Sequence, residues 1–467
     1  MNLKTRLFGK PYHFGSIKEL LAKANEEKSG DVIAGIAASS AAERIAAKRV
    51  LAEVTLEELR KNPVIPYEED EVTRVIDDAV REPIYEKIKH WTVRELREFI
   101  LDHKTSGEQI KHISKGLTSE MVAAVAKLMS NMDLVYASSK IRNRAKANTE
   151  HGQPGVLAYR LQPNHPSDSV EGILASVMEG LTYGCGDAVL GINPNEDTVE
   201  NTMKLMKAAH DFVEEWGIPT QTCVLSHITS QMKAVKQGAP TDVFFQSVAG
   251  TEDANKAFGI TAKLLDEAHE LIKKKGCATG PNLMYFETGQ GSEQSLNAHH
   301  GADEMTLEAR TYGFAKRYDP FMVNNVSGFI GPETLYDGKQ IIRASLEDHF
   351  MGKLTGLPMG MAPCYTNHTM ADQNDQENAI MLLAMAGSNY FMGVPGSDDC
   401  MLSYQDTSYH DDATLRELLN LRPVPEFEKW LEEMGLMKDG KLTEIAGDPS
   451  IFAKKKPLGK KGARRNG

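Results

Sequence analysis

From about Gly152 onward, eight short apolar runs alternate with longer amphipathic stretches, and few folds accept that rhythm. The runs are rich in Val, Ile, Phe and Tyr and cover residues 156–161, 188–192, 222–225, 243–248, 283–286, 321–326, 358–365 and 389–393. Apolar runs of this length, bounded by turn residues, read as buried strands. Helical spacing over 198–215, 253–275, 302–317, 340–350, 373–386 and 413–419 separates or follows most of them. Strand and helix in alternation predict parallel strands joined by helical crossovers, and eight such units predict an α/β fold of the (β/α)8 TIM-barrel type. An open doubly wound sheet is the alternative, but no Gly-x-Gly-x-x-Gly follows an early strand, so its usual dinucleotide loop is missing.

The 467 residues exceed what one barrel needs. Residues 1–150 read as a helical accessory region that serves packing or oligomerisation. Thr55-x-x-Glu58, Thr92-x-x-Glu95, Thr105-x-x-Glu108 and Ser40-x-x-Glu43 fit the capping-box pattern, with Ala-rich helical segments between them. Residues 151–452 are expected to form the barrel and carry the active site. Residues 453–467 are expected to be a disordered basic tail, since Lys454 to Gly467 hold seven basic residues and no acid. The chain's net charge is −12, so without those seven charges the body stands at about −19, which repels nucleic acid. There is no run of about 18 apolar residues, so no membrane span is expected. The first ten residues lack the apolar stretch of an export signal, which predicts a cytoplasmic protein. Five scattered cysteines without a Cys-x-x-Cys pair suggest neither a disulfide framework nor a zinc site.

In a barrel the chemistry sits at the carboxyl ends of the strands. Polar residues collect there: Arg160 and Gln162 on the first strand, Asn193 on the second, Gln246 and Ser247 on the fourth, Glu287 on the fifth, Asn324 and Asn325 on the sixth. Arg160 and Gln162 are two apart and share a face of an extended chain. Glu287 ends a buried strand and is followed by Thr288-Gly289-Gln290-Gly291. A carboxylate there serves either as a structural ion-pair partner or as a group for chemistry. An arginine, amides and a carboxylate at one mouth would suit a small polar molecule with both donors and acceptors. His-Glu-x-x-His is absent, and Gly289-x-Gly291 is a weak phosphate-loop signal on its own.

Five longer motifs carry a resemblance. They are Phe286-Glu287-Thr288-Gly289-Gln290-Gly291-Ser292, Arg160-Leu161-Gln162-Pro163-Asn164, Gly328-Phe329-Ile330-Gly331-Pro332-Glu333, Leu346 through Lys353, and Cys364-Tyr365-Thr366-Asn367-His368. Together they resemble the large subunit of ethanolamine ammonia-lyase, from about Leu3 to Phe452. The resemblance implies a radical lyase that uses adenosylcobalamin to convert a vicinal amino alcohol to an aldehyde and ammonia. Arg160 and Asn193 would hold the substrate hydroxyl, Gln162 the amine, and Glu287 would touch both. Ser247, Val326, Phe329, Met392 and Leu402 match positions that line the cofactor side. The resemblance also implies a small second subunit, a homo-oligomer of large subunits, and a cytoplasmic setting that in this family extends to bacterial microcompartments.

The sequence departs from the family at informative places. Ala362 stands where an aspartate contacts the amine, and Ala257 where a glutamate lies near the adenosyl group. Glu287 would then carry the ammonium's charge largely alone. The departures leave two other expectations beside the ethanolamine lyase: the same radical machinery acting on an amine-modified vicinal alcohol, or a non-catalytic cobalamin-binding scaffold.

Overall fold

A computed structural model describes residues 2–455. Eight parallel strands form one sheet that curls into a barrel: β1 (Ala158–Leu161), β2 (Val189–Ile192), β3 (Thr222–Val224), β4 (Phe244–Ser247), β5 (Met284–Thr288), β6 (Met322–Asn325), β7 (Met359–Met361) and β8 (Tyr390–Gly393). Sequential strands pair in register, and β8 pairs back onto β1 through Met392 opposite Arg160. The seam lies between β3 and β4. There Asp242 closes the gap, its backbone N–H donating to Thr222 O at 3.3 Å and its carboxylate accepting from Thr222 N at 2.8 Å. Nearly every strand residue is buried on both faces, which is why the strands read as continuous apolar runs rather than alternating ones.

Each strand is followed by a helix: α1 (Val170–Thr182), α2 (Val199–Trp216), α3 (Ile228–Lys236), α4 (Ala262–Lys275), α5 (Glu304–Ala315), α6 (Gly338–Thr355), α7 (Gln373–Met385) and α8 (Tyr409–Leu419). Their starts are written into the sequence. Ser169, Thr198, Thr261, Asp303, Asp337, Asp372 and Ser408 each accept a backbone N–H of the first turn. The fold is therefore the expected (β/α)8 barrel.

Ten short helices between Ile17 and Lys140 pack against one flank of the barrel and share its hydrophobic core. Four fully or nearly fully buried cations hold the layers together. Arg310 on α5 meets Asp70 at 2.7 Å and Glu120 at 2.9 Å, Lys127 meets Asp303 at 2.5 Å, Lys28 meets Glu347 at 2.7 Å, and Arg416 on α8 meets Asp187 at 2.8 Å. The bottom of the barrel is plugged by the segment 143–153, whose polar groups pair with residues at the starts of the strands. Asn148 N donates to Gln221 Oε1 at 2.8 Å, Lys146 N to Asn282 Oδ1 at 2.9 Å, and His151 Nε2 lies 2.8 Å from Phe321 O. The carboxyl end carries the cavity.

Four expectations need correction. The run 358–365 is two strands, because Pro363 has no N–H to give the ladder: β7 stays in the barrel, while Tyr365–Thr366 pairs antiparallel with Tyr404–Gln405 in a small sheet over the mouth. The helix read over 253–275 breaks at Gly259, which has φ +75°, giving Glu252–Ala257 and α4. The third capping box is Ser106 with Gln109, one residue later than expected. The N-terminal region opens with a hairpin, Lys4–Leu7 paired with Lys10–His13 around Phe8-Gly9, where only helices were expected. Of the basic tail, Ala453 and Lys454 close a short helix, Ile451–Lys454, and residues 456–467 lie outside the described residues.

Candidate active site

At the open end of the barrel lies a cavity of about 390 Å³. Arg160, Gln162, Asn193 and Glu287 all line it, as do Ser247, Val326, Phe329, Met392 and Leu402. The nine residues come from β1, β4, β5, β8 and four of the loops above the strands, so the topology gathers what the sequence scatters. Met392 forms the floor beside Arg160 and is fully buried. Phe329 and Leu402 form the rim, 38% and 37% exposed. Two exposed large apolar side chains at the lip of a mainly apolar cavity mark a place where something else is meant to lie.

Glu287 and Arg160 form the centre. Glu287 Oε1 accepts from Arg160 Nη1 at 2.5 Å, from Asn324 Nδ2 at 3.2 Å and from the Tyr285 hydroxyl. Tyr285 and Glu287 are two apart on β5 and so point to the same, inner face. Burial pushes the Tyr285 phenol well up, and Glu287 adds to this while Arg160 opposes it; the hydroxyl therefore stays a donor. Glu287 Oε2 makes no hydrogen bond among the described residues, and the side chain lines the cavity. The two readings of Glu287, structural ion pair or chemical group, thus each take one oxygen.

Arg160 is 1% exposed and spends one of its nitrogens on Glu287 and on Met392 Sδ at 3.0 Å. Burial works against its charge, but Tyr285 and Glu287 outweigh that and hold the guanidinium protonated. Its Nε and Nη2 have no partner. Gln162 donates Nε2 to Asp399 Oδ2 at 2.5 Å and to the Tyr404 hydroxyl at 2.8 Å, which leaves Oε1 unpartnered. Asn324 Oδ1 is also unpartnered. Asn193 receives Asn164 Oδ1 on its backbone N–H at 2.9 Å, so its carboxamide is free to turn inward. Unused donors and acceptors therefore gather in and beside a cavity of a few hundred Å³, a costly arrangement unless a polar ligand completes it.

Two polar residues singled out at the strand ends do other work. Gln246 accepts Ile228 N at 2.9 Å and anchors α3 beside the β3–β4 seam, although it also touches the cavity. Asn325 points out of the barrel, donating to Asp348 at 2.9 Å and to the Tyr312 hydroxyl at 3.2 Å. The Leu346 to Lys353 motif is likewise behind the wall. Asp348 accepts Gln290 Nε2 at 2.7 Å, so this motif holds the loop after Glu287 rather than meeting a ligand. Gly291 in that loop has φ +105°, and a Cβ there would come within 2.4 Å of Thr334.

The sequence reading missed Tyr285, Asp399, Tyr404 and Asp406. Tyr285 was recoverable from its spacing to Glu287. The other three lie in the irregular segment after β8, where no periodicity points inward. Glu287 is paired with Arg160, while Asp399 accepts from Gln162, two residues beyond Arg160. Ala362 is fully buried and packs with Cys364, Met392, Tyr404 and Val326, bringing only a methyl group to that cluster. Ala257 is exposed, next to Phe258 on the cavity wall. No group of acid, histidine or cysteine side chains able to hold a metal occurs among the described residues.

Comparison with known proteins gives these features a context. Residues 12–445 match the ethanolamine ammonia lyase large subunit family (EutB). The ethanolamine ammonia-lyase large subunit of Salmonella typhimurium (strain LT2) is 55% identical over 452 residues, 97% of this chain and 100% of that one. The protein of the same name from Escherichia coli (strain K12) is 55% identical over the same span.

Proposed function

Since the chain belongs to the ethanolamine ammonia-lyase large-subunit family, we propose that it is the catalytic subunit of a carbon–nitrogen lyase that converts ethanolamine to acetaldehyde and ammonia. The observation that carries this reading is the set of unused hydrogen-bonding atoms: Arg160 Nε and Nη2 as donors, Gln162 Oε1 and Asn324 Oδ1 as acceptors. Ethanolamine has one end that accepts from a guanidinium and one that donates in three directions. Arg160 and the Asn193 carboxamide would hold the hydroxyl. Gln162 Oε1, Asn324 Oδ1 and Glu287 Oε2 would hold the ammonium.

The cofactor would be adenosylcobalamin, and the rim fits it. Val326, Phe329 and Leu402 offer an apolar ledge, and Ser247 a hydroxyl, around a mouth that opens on one side only. Bound there, it would supply the radical that takes hydrogen from the carbinol carbon. The chain's own residues bind, orient and shield. Arg160 fixes the hydroxyl so that one hydrogen faces the rim, and the plug of 143–153 keeps water from entering below. Glu287 Oε2 stays on the amine as it leaves its carbon, holding the charge in place while Arg160 holds Oε1 of the same side chain. A small subunit would complete the cover over the exposed ledge, and large subunits would assemble as a homo-oligomer.

The test is reconstitution. Purified with its small subunit and adenosylcobalamin, the chain should release aldehyde from ethanolamine and give a radical signal in electron paramagnetic resonance. Absence of turnover from the complete holoenzyme would overturn the reading.

A further inference from the structure

Two acids beside the pocket are in opposite conditions. Asp399 is saturated: Oδ2 accepts from Gln162 at 2.5 Å and Asn164 at 2.7 Å, and Oδ1 from Met401 N at 3.1 Å and Leu402 N at 2.7 Å. Asp406 is just as deeply buried, at 0% exposure, yet accepts only Thr407 N, on Oδ1 at 2.7 Å. Its Oδ2 has no partner at all. A buried carboxylate oxygen without a donor is expensive, so the site calls for a donor that the chain does not contain.

The geometry says where that donor would come from. Asp406 N donates to Ser397 O at 3.1 Å and extends the ladder in which Asp398 faces Gln405. Along such a ladder alternate residues share a face, so Asp406 lies on the side of Tyr404, which lines the cavity. Tyr404 in turn packs on Ala362, Cys364 and Met392. Without a cation beside it, burial holds the Asp406 carboxyl well above the usual range, with Asp399 adding to this and with the Thr407 bonds and the Arg160 charge opposing; an ammonium group next to Oδ2 would bring it back down and leave it ionised in the complex. Asp406 also weighs on Cys364, Tyr404 and Asp412, so the titratable groups that couple to it include Arg160, Cys364, Asp399, Tyr404 and Asp412. Only one of these is a cation, and Glu287 already claims it.

We propose that Asp406 is the specificity-determining carboxylate of this site, supplying the negative charge that the substrate's ammonium group meets on the Tyr404 side of the pocket. It takes over a task to which Ala362, a methyl group on the same patch, cannot contribute. The proposal rests on the ethanolamine reading above and adds which side chain selects a charged amine over a neutral group of the same size.

The experiment uses the holoenzyme with ethanolamine as substrate and ethylene glycol as a neutral competitive probe. In D406N the KM for ethanolamine should rise about ten- to a hundredfold, while the inhibition constant of ethylene glycol stays within about threefold, a split that a general loosening of the pocket would not give. Adding A362D to D406N should recover most of the loss, because it returns one carboxylate to the patch. A362D in the native chain gives a reading that does not depend on D406N folding: with Asp406 already in place, a second acid should not tighten ethanolamine. Three results would overturn the proposal: equal shifts for both ligands in D406N, no shift for either, or a tenfold gain in ethanolamine affinity from A362D alone. If the native holoenzyme releases no aldehyde, the underlying reading falls and this one with it; if it turns over normally and D406N does too, only the role of Asp406 is wrong.

Discussion

Replacing Glu287 by glutamine keeps the shape of the side chain and removes its charge, which separates the two tasks given to its two oxygens. On the structural side, Oε1 of a glutamine still accepts from Asn324 and Tyr285, but the Arg160 guanidinium, 1% exposed, loses its counter-charge. Breaking a buried ion pair costs roughly 3 to 5 kcal/mol. The Glu287 side chain is 15% exposed to the cavity, so water screens part of this and the lower end, about 3 kcal/mol, is expected. At about 2.1 cal/mol/K of unfolding entropy per residue, that lowers the melting temperature by roughly 3 °C. On the functional side, a charge-assisted hydrogen bond to the ammonium is replaced by a neutral one, worth about 1.5 to 3 kcal/mol, or roughly 10- to 150-fold in kcat/KM. Aldehyde release coupled to an alcohol dehydrogenase, and scanning fluorimetry on the same preparations, measure both. Glu287→Asp sharpens the comparison, since it keeps the charge beside Arg160 but withdraws Oε2 from the substrate: the melting temperature should recover and turnover should not. A glutamine variant with kcat/KM within about threefold of the native protein would refute the assignment of Oε2 to the amine.

Three further outcomes follow from the packing. Burial, with Glu293 nearby, pushes Glu308 up to about 8, so the folded protein keeps a proton that the unfolded chain releases above about pH 4.3. Native stability therefore falls as pH rises from about 4 to 8, and Glu308→Gln should show a melting-temperature advantage that widens across that range and levels off above it. Arg310→Met strands Asp70 and Glu120, both nearly fully buried, and should destabilise by more than about 3 kcal/mol, read as loss of soluble protein or of cooperative unfolding. Gly360→Ala puts a Cβ within 1.9 Å of the Tyr390 ring inside the barrel, so β7 or β8 must shift; a variant with native melting temperature would contradict the packing of that layer.

The barrel was legible because its strands are buried on both faces and its helices announce their starts with Ser, Thr or Asp. The eight runs were found because each strand is a burst of Val, Phe, Tyr and Met with no alternation to confuse it. The errors fell where one residue overrides a pattern, as Pro363 does by ending a ladder and Gly259 by ending a helix. Site residues borne on strands were visible for the same reason, since a polar side chain is conspicuous at the end of an apolar run. Arg160, Gln162 and Glu287 stood out in this way. Asp399, Tyr404 and Asp406 did not, because their position depends on a small antiparallel sheet formed between segments some forty residues apart. Nothing local in the sequence says that such a sheet folds over the mouth.

The aim of Glu287 into the cavity is set from behind the wall. β5 and β6 pair with Glu287 opposite Asn324 and Thr288 opposite Asn325. Glu287 and Asn324 face inward and bond each other, while Thr288 and Asn325 face outward. The outward pair meets a layer of acids on α5 and α6: the Thr288 hydroxyl donates to Glu308 at 2.9 Å and Asn325 Nδ2 to Asp348 at 2.9 Å. Asp348 also takes Gln290 from the loop that follows Glu287. A slip of one residue in either strand would present Thr288 or Asn325 to the cavity and drive Glu287 into two buried carboxyls, so the wrong register loses hydrogen bonds on both faces at once. Burial holds Glu308 and Asp348 well above the usual carboxylate range, and neutral acids can sit together where ionised ones could not. The polar layer lies behind the barrel wall, yet it fixes which side chain of β5 is turned inward. That is why the conspicuous Leu346 to Lys353 motif lies behind the barrel wall rather than in the site.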